Sequence, residues 1–131
     1  MREQVVTPIT AKLANLKGFN ISCDKLYRGD NLIDSHHGYD FDISAPTQSI
    51  LQTWLRDKKE VDIEVELCTD HELIVCYPRT YQSGYYTKDG FNMVEGFYST
   101  YEEALEEGLQ GALAQLTLIR VNTKGIYTEE I

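Results

Sequence analysis

Cys68-x2-His71-x4-Cys76 brings two thiols and an imidazole within nine residues, and Cys23, His36 and His37 stand elsewhere as further donors. Thiolate and imidazole are the donors zinc prefers, so Cys68, His71 and Cys76 are weak candidate metal ligands. The spacing is not that of a known zinc knuckle. Cys76 falls inside an apolar run, where a cysteine serves as a small hydrophobe. The same thiols raise nucleophilic catalysis, with His36 or His37 as base and Asp34, Asp40 or Asp42 to orient the ring. No catalytic signature surrounds any of the three cysteines. A non-enzymatic protein without a cofactor is therefore expected, with a zinc- or thiol-dependent enzyme, or a metal-stabilised domain, as the alternative.

A second set of side chains suits binding. Tyr77, Tyr81, Tyr85, Tyr86, Tyr98 and Tyr101 cluster in one stretch with Arg79 and Lys88 among them. Tyrosine offers a large contact area at low entropic cost and is enriched at interfaces. Tyr81, Tyr85 and Tyr86, with Arg79 and Lys88, fall in the turn-rich run RTYQSGYYTKDG. They form the candidate binding surface. The competing reading is that these rings cover a sheet edge.

The elements that must hold these residues are legible in part. Thr7-Pro8 starts a helix over 8–17, with Ile9, Leu13 and Leu16 as its stripe and Gly18 as its stop. The hairpin expected next pairs Lys25–Arg28 with Leu32–Asp34 around Gly29–Asn31. Ser44 or Thr47 caps a helix over 47–58 with Ile50, Leu51, Trp54 and Leu55 on one side, a stripe suited to core packing or, less often, to a groove for a partner helix. VDIEVEL (61–67) alternates as a half-buried strand with an acidic outer face. Strands are also expected at 72–77 and 91–98, the latter bent near Gly96, with a turn at Asp89-Gly90. Ser99-Thr100-Tyr101-Glu102 reads as a capping box for a helix over 100–116. The tail after about residue 120 is expected to be loose after a last short strand. These elements predict one α+β domain over 1–131: a two-layer fold, with a three-stranded antiparallel meander (about 61–98) packed by helices at about 8–17, 47–58 and 100–116.

Composition narrows the functions. Net charge is −9, with 21 acidic and 12 basic residues. Direct binding to a phosphate backbone needs the opposite balance. An acidic surface can instead mimic nucleic acid and block a basic groove, and that is a further alternative. The N-terminus lacks a signal-peptide core and no run reaches membrane-span length, so a cytoplasmic protein is expected. The RGD triplet at Arg28–Asp30 is read as a chance occurrence. No phosphate loop, dinucleotide motif or heptad run is present.

Three stretches, TPITAKLANLKGFNISC, ISAPTQSILQTWLRDKKEVDIEV and YSTYEEALEEGLQGAL, occur in this order. Together they resemble a family of short proteins, with no assigned activity, carried by phages and mobile elements of Bacteroides-type gut anaerobes. The resemblance spans roughly residues 7 to 116, and ISAPTQSILQTWLR is its most specific part. It implies an intracellular accessory protein expressed from a mobile element, and it carries over no catalytic residue; the expected partner is a host or phage protein.

Overall fold

The structure is a computed structural model that describes residues 3–68, 80–116, 118–121 and 127–130. The strand expected at 72–77, and with it His71, Cys76 and Arg79, lies outside these residues.

Helix α1 (Pro8–Leu16) starts where expected: Thr7 caps it, accepting from the Thr10 N–H, and Pro8 occupies the first turn. Its buried face is the expected one only at Leu13, which packs against the core. Thr10, Ala11 and Ala14 are buried, whereas Ile9 and Leu16 are exposed. The helix is thus turned by about one residue, roughly 100°. Small side chains let it lie close against the last helix, and Thr10 has a buried carboxylate to reach. Strands β1 (Lys25–Arg28) and β2 (Asn31–Asp34) form the expected hairpin, with Gly29 at φ +63° in its turn. The short strand β3 (Ile43–Ser44) joins the other side of β1, giving the order β2-β1-β3.

Helix α2 (Gln48–Lys59) is capped by Thr47 rather than Ser44. Arg56, Lys58 and Lys59 sit at its negative C-terminal end, and Glu60 closes it in the left-handed conformation. Leu51, Trp54 and Leu55 are buried, and Phe19 meets Trp54 edge to face. Ile50 stays partly in solvent. With Ile21 and the rim of Trp54 it lines a shallow groove of about 250 Å³.

The meander is antiparallel in the order β4-β5-β6, from β4 (Asp62–Leu67), β5 (Tyr81–Thr87) and β6 (Gly90–Tyr98). Its middle strand corrects the expectation of a turn-rich loop at 79–90. Alternation on β5 is hidden because Ser83 and Gly84 occupy its two buried positions, so no apolar period marks it. The turn is the two-residue Lys88-Asp89, followed by Gly90 at φ +121°. The expected bend at Gly96 is present at φ +117°, where the pairing with β5 loses register.

Helix α3 (Tyr101–Ala114) lies across all three strands. Its cap is Thr100, which accepts from the Glu103 N–H, one residue later than the expected Ser99 and Glu102. Ala104, Leu105, Gly108, Leu109, Ala112 and Leu113 are buried, but Tyr101 at the start of the stripe is exposed. Gly108 permits the close approach: a Cβ there would meet Ile63 Cγ2 at 3.0 Å and Ser83 Cβ at 3.2 Å. Leu51, Leu55, Leu109 and Leu113 fill the core between α2, α3 and β4. The result is a small α+β fold. Beyond it, β7 (Leu118–Val121) and β8 (Tyr127–Glu130) pair antiparallel, where a strand and a loose tail were expected.

One buried carboxylate joins two helix starts to a third helix. Glu106 of α3 is only 6 % exposed. Its Oε2 accepts from the Thr7 N–H (3.0 Å), the Thr7 hydroxyl (3.0 Å) and the Thr10 hydroxyl. Its Oε1 accepts from Gln48 Nε2 (3.0 Å), which also reaches the Glu102 carbonyl. Gln110 Nε2 donates to Thr10 Oγ1 (3.0 Å) behind them. The starts of α1 and α2 thereby dock on α3, where helix N-termini favour a negative charge.

Candidate protein-binding face

The pleat of the meander sorts its side chains between two faces. Val61 and Ile63 point to α3, with Val65 packed against the core. Asp62, Glu64 and Glu66 alternate with them. In register with these carboxylates stand Tyr86, Gly84 and Gln82 of β5, and opposite Tyr86 and Gly84 stand Phe91 and Met93 of β6. Across this outer face, carboxylates on β4 therefore pass into an aromatic and thioether patch on β5 and β6.

The patch is solvated. Tyr86 is 47 % exposed, Phe91 43 % and Met93 61 %. Tyr86 and Phe91 touch as a tilted pair with ring centroids 4.7 Å apart. The Phe91 ring also lies over Gly84, leaving a cleft of only about 10 Å³ beside Glu64, Gln82 and Met93. An aromatic ring over a cross-strand glycine restores the packing that the glycine lacks. Interaction with the Glu64 carboxylate, and with the nearby Glu66, pushes the Tyr86 hydroxyl above the usual tyrosine pKa. Among the described residues no cation pairs with Asp62, Glu64 or Glu66.

The structure divides the expected tyrosine surface. Tyr86 alone of the three lies on the outer face. Tyr85 points inward, its ring close to Gly111 of α3, and packs on the core. Tyr81 is half-buried and meets Tyr101 edge to face with centroids 6.3 Å apart. So the two readings of the tyrosines each hold for part of the set. Lys88 lies in the β5–β6 turn, beside a polar cleft of about 360 Å³ shared with Lys58 and Lys59. Phe91 and Met93 are the residues missed. Their signal was the alternation Phe91-x-Met93 in a strand whose opposite face already holds Val94.

A further aromatic feature was also missed. Tyr39 and Phe41, exposed by 62 % and 71 %, stack with centroids 5.5 Å apart after the 3₁₀ turn Ser35–His37. Arg28 braces them: its Nε and Nη2 donate to the two Asp42 oxygens at 3.1 and 2.9 Å, and its guanidinium lies 4.5 Å from the Tyr39 ring centre. Asp42 also accepts from the Tyr39 N–H at 2.7 Å. Gly38 packs closely here: a Cβ would displace the end of the Leu26 side chain and come within 3.0 Å of the Ser35 carbonyl oxygen. The hydrogen bond from Arg28 holds the Asp42 carboxyl below its ordinary pKa. A depressed folded pKa gives a contribution complete above the unfolded value, about 3.9, and lost as pH falls through the folded value. The Tyr39 and Phe41 ring resonances should therefore hold constant down to about pH 4 and shift only below it, in a proton NMR titration. A shift centred near pH 5 would show that the clasp does not hold the loop.

Among the described residues no group of three or more His, Cys, Asp or Glu side chains could hold a metal ion. Cys68 is buried at the end of β4, its N–H donating to the Thr80 carbonyl at 2.8 Å. Burial, with Asp24 beside it, pushes the Cys23 thiol up in pKa and away from the thiolate that a nucleophile needs. His36 and His37 stand side by side in solvent. Among the described residues no helix is long and apolar enough to cross a membrane. Compared with protein-family models, curated proteins and solved structures, the chain matches none.

Proposed function

We propose that this is a non-enzymatic accessory protein that binds another protein through the outer face of the β4-β5-β6 sheet. The observation that carries the reading is the contiguous, exposed patch of Tyr86, Phe91 and Met93 beside the row Asp62, Glu64 and Glu66, with which no cation among the described residues pairs. Aromatic and Met side chains are the anchors that protein interfaces favour. The row of carboxylates suits a partner segment that carries Lys or Arg next to apolar residues. The setting is the cytoplasm, in the service of a phage or mobile element, with a host or phage protein as partner.

The test is capture from host lysate at low and high salt, with wild type beside the double variant Phe91→Ser/Met93→Ser and the triple variant Asp62→Asn/Glu64→Gln/Glu66→Gln. The expected result is one stoichiometric partner for wild type and at least about tenfold weaker capture by the Phe91/Met93 variant, as for loss of a hot spot. Its circular dichroism should match wild type. Undiminished capture by that variant would refute the reading. Binding lost only with the carboxylates, and steeply with salt, would replace it with the nucleic-acid mimic.

A further inference from the structure

Gln48 and Gln52 stand one turn apart on α2, which sets their Cβ atoms about 5–6 Å from each other on one side of the helix. Both amides are held by their nitrogen. Gln48 Nε2 donates to the Glu102 carbonyl (2.9 Å) and to Glu106 Oε1 (3.0 Å), and Gln52 Nε2 donates to the Ile63 carbonyl (3.3 Å). An amide whose nitrogen is held has its oxygen placed as well, and that oxygen is an acceptor. Gln48 is only 3 % exposed, yet its Oε1 is not sealed in: among the described residues Ser83 Oγ is the one buried side-chain oxygen or nitrogen without a partner. The Gln48 oxygen, to which no described residue donates, therefore opens onto a cleft of about 400 Å³. Gln48 and Gln52 line this cleft with Glu3, Tyr101, Glu102 and Leu105.

The cleft is rich in acceptors: two amide oxygens and two carboxylates. No Lys or Arg lines it, and among the described residues no cation pairs with Glu3 or Glu102. The Glu106 carboxylate bonded to Gln48 adds further negative charge. Helix starts favour anions, but here they are already answered. Glu106 serves α1 and α2, and Glu102 and Glu103 lie in the first turn of α3. Leu105 and the exposed Tyr101 ring supply an apolar wall and a π face.

We infer that this cleft binds a small aliphatic diamine or polyamine through its ammonium groups. An ammonium carries three donors and no acceptor, the complement of Gln48 Oε1, Gln52 Oε1 and one carboxylate. Two ammonium groups match the two charges of Glu3 and Glu102. The methylenes between them suit the wall of Leu105 and Tyr101, and a cation is also attracted to the face of a tyrosine ring. The volume falls in the range of small-molecule sites. A net charge of −9 raises the concentration of cations near the surface and so speeds their capture. A phosphate or carboxylate ligand would meet like charge, and a neutral diol would leave both carboxylates unanswered. The site shares no residue with the outer face of the sheet, so it stands or falls separately from the protein-binding reading.

Titration of the isotope-labelled full chain with diaminobutane and with spermidine, followed by proton–nitrogen NMR spectra, tests this. Saturable shifts are expected in the side-chain amides of Gln48 and Gln52 and in the backbone of Tyr101–Leu105. The dissociation constant for diaminobutane should be on the order of 1 mM, as suits so small a ligand, and spermidine should bind more tightly. Butanediol and succinate, of matching length but neutral or oppositely charged, should give no saturable shift. Glu3→Gln/Glu102→Gln alters exposed and half-exposed side chains, so it should stay folded and bind diaminobutane at least about fivefold more weakly. Gln52→Met, which removes one fixed oxygen at similar volume, should also weaken binding. Shifts spread over the whole acidic surface, or equal affinity in the Glu3/Glu102 variant, would show general attraction by net charge and overturn the inference. So would the lack of a saturable shift at diaminobutane concentrations about tenfold above that constant.

Discussion

Glu106→Ala is expected to destabilise the protein by about 3–5 kcal/mol, the largest loss from any single polar side chain here. The substitution removes the acceptor for the Thr7 N–H, the Thr7 and Thr10 hydroxyls and Gln48 Nε2. Each donor left without a partner away from water costs about 1–3 kcal/mol, and the part-buried Thr7 recovers some of that by taking up water. Glu106→Gln separates charge from shape. Its amide keeps one acceptor oxygen but turns an NH2 group towards other donors, so about 2–3 kcal/mol should be lost. Urea unfolding reads both as a shift in midpoint at constant slope. A loss under about 1 kcal/mol for Glu106→Ala would mean that the carboxylate does not hold α1 and α2 to α3. This network also explains why α1 buries Thr10 in place of Ile9.

Gly84→Val should cost about 3 kcal/mol and abolish binding at the outer face as well. A Cβ at this position collides with the Phe91 ring and comes within 2.8 Å of the Asn92 carbonyl oxygen. The ring is exposed and can swing away, but the carbonyl belongs to the β5–β6 ladder and cannot. The variant must therefore both displace Phe91 and distort the strand pair. Urea unfolding reads the first loss and partner capture the second. Phe91→Ser/Met93→Ser provides the contrast, since it should impair capture with the ladder intact. Wild-type stability in Gly84→Val would show that the meander tolerates a side chain there and that Phe91 is not seated on the glycine.

Much of the architecture could be read from local chemistry. Thr7-Pro8, Thr47 and the run after Thr100 are start signals that act through the nearest backbone N–H groups, so they need no tertiary partner. The alternation of Val61, Ile63 and Val65 with Asp62, Glu64 and Glu66 reports a one-sided strand wherever it lies. The hairpin at Gly29 follows from a residue able to take positive φ between two extended runs. These features are local, and the α+β class follows from their order.

What was not legible depends on neighbours remote in sequence. Strand β5 carries Ser83 and Gly84 at its buried positions because Gly108 of α3 presses on one face and the Phe91 ring covers the other. Those two contacts remove the apolar signal that would have marked a strand, so its tyrosines read as a loop. The register with β4 and β6 then sends Tyr86 outward and Tyr85 inward, although they are adjacent in the chain. Phe91 and Met93 became binding candidates only when that register set them beside Tyr86. The rotation of α1 is of the same kind: its stripe of Ile9, Leu13 and Leu16 obeys the helical period, but a carboxylate 96 residues from Thr10 selects the face that is buried. Periodicity and capping are properties of a short segment. Which face a segment turns inward is settled by the groups it must satisfy, and for α1 and α2 those groups come from α3, far along the chain.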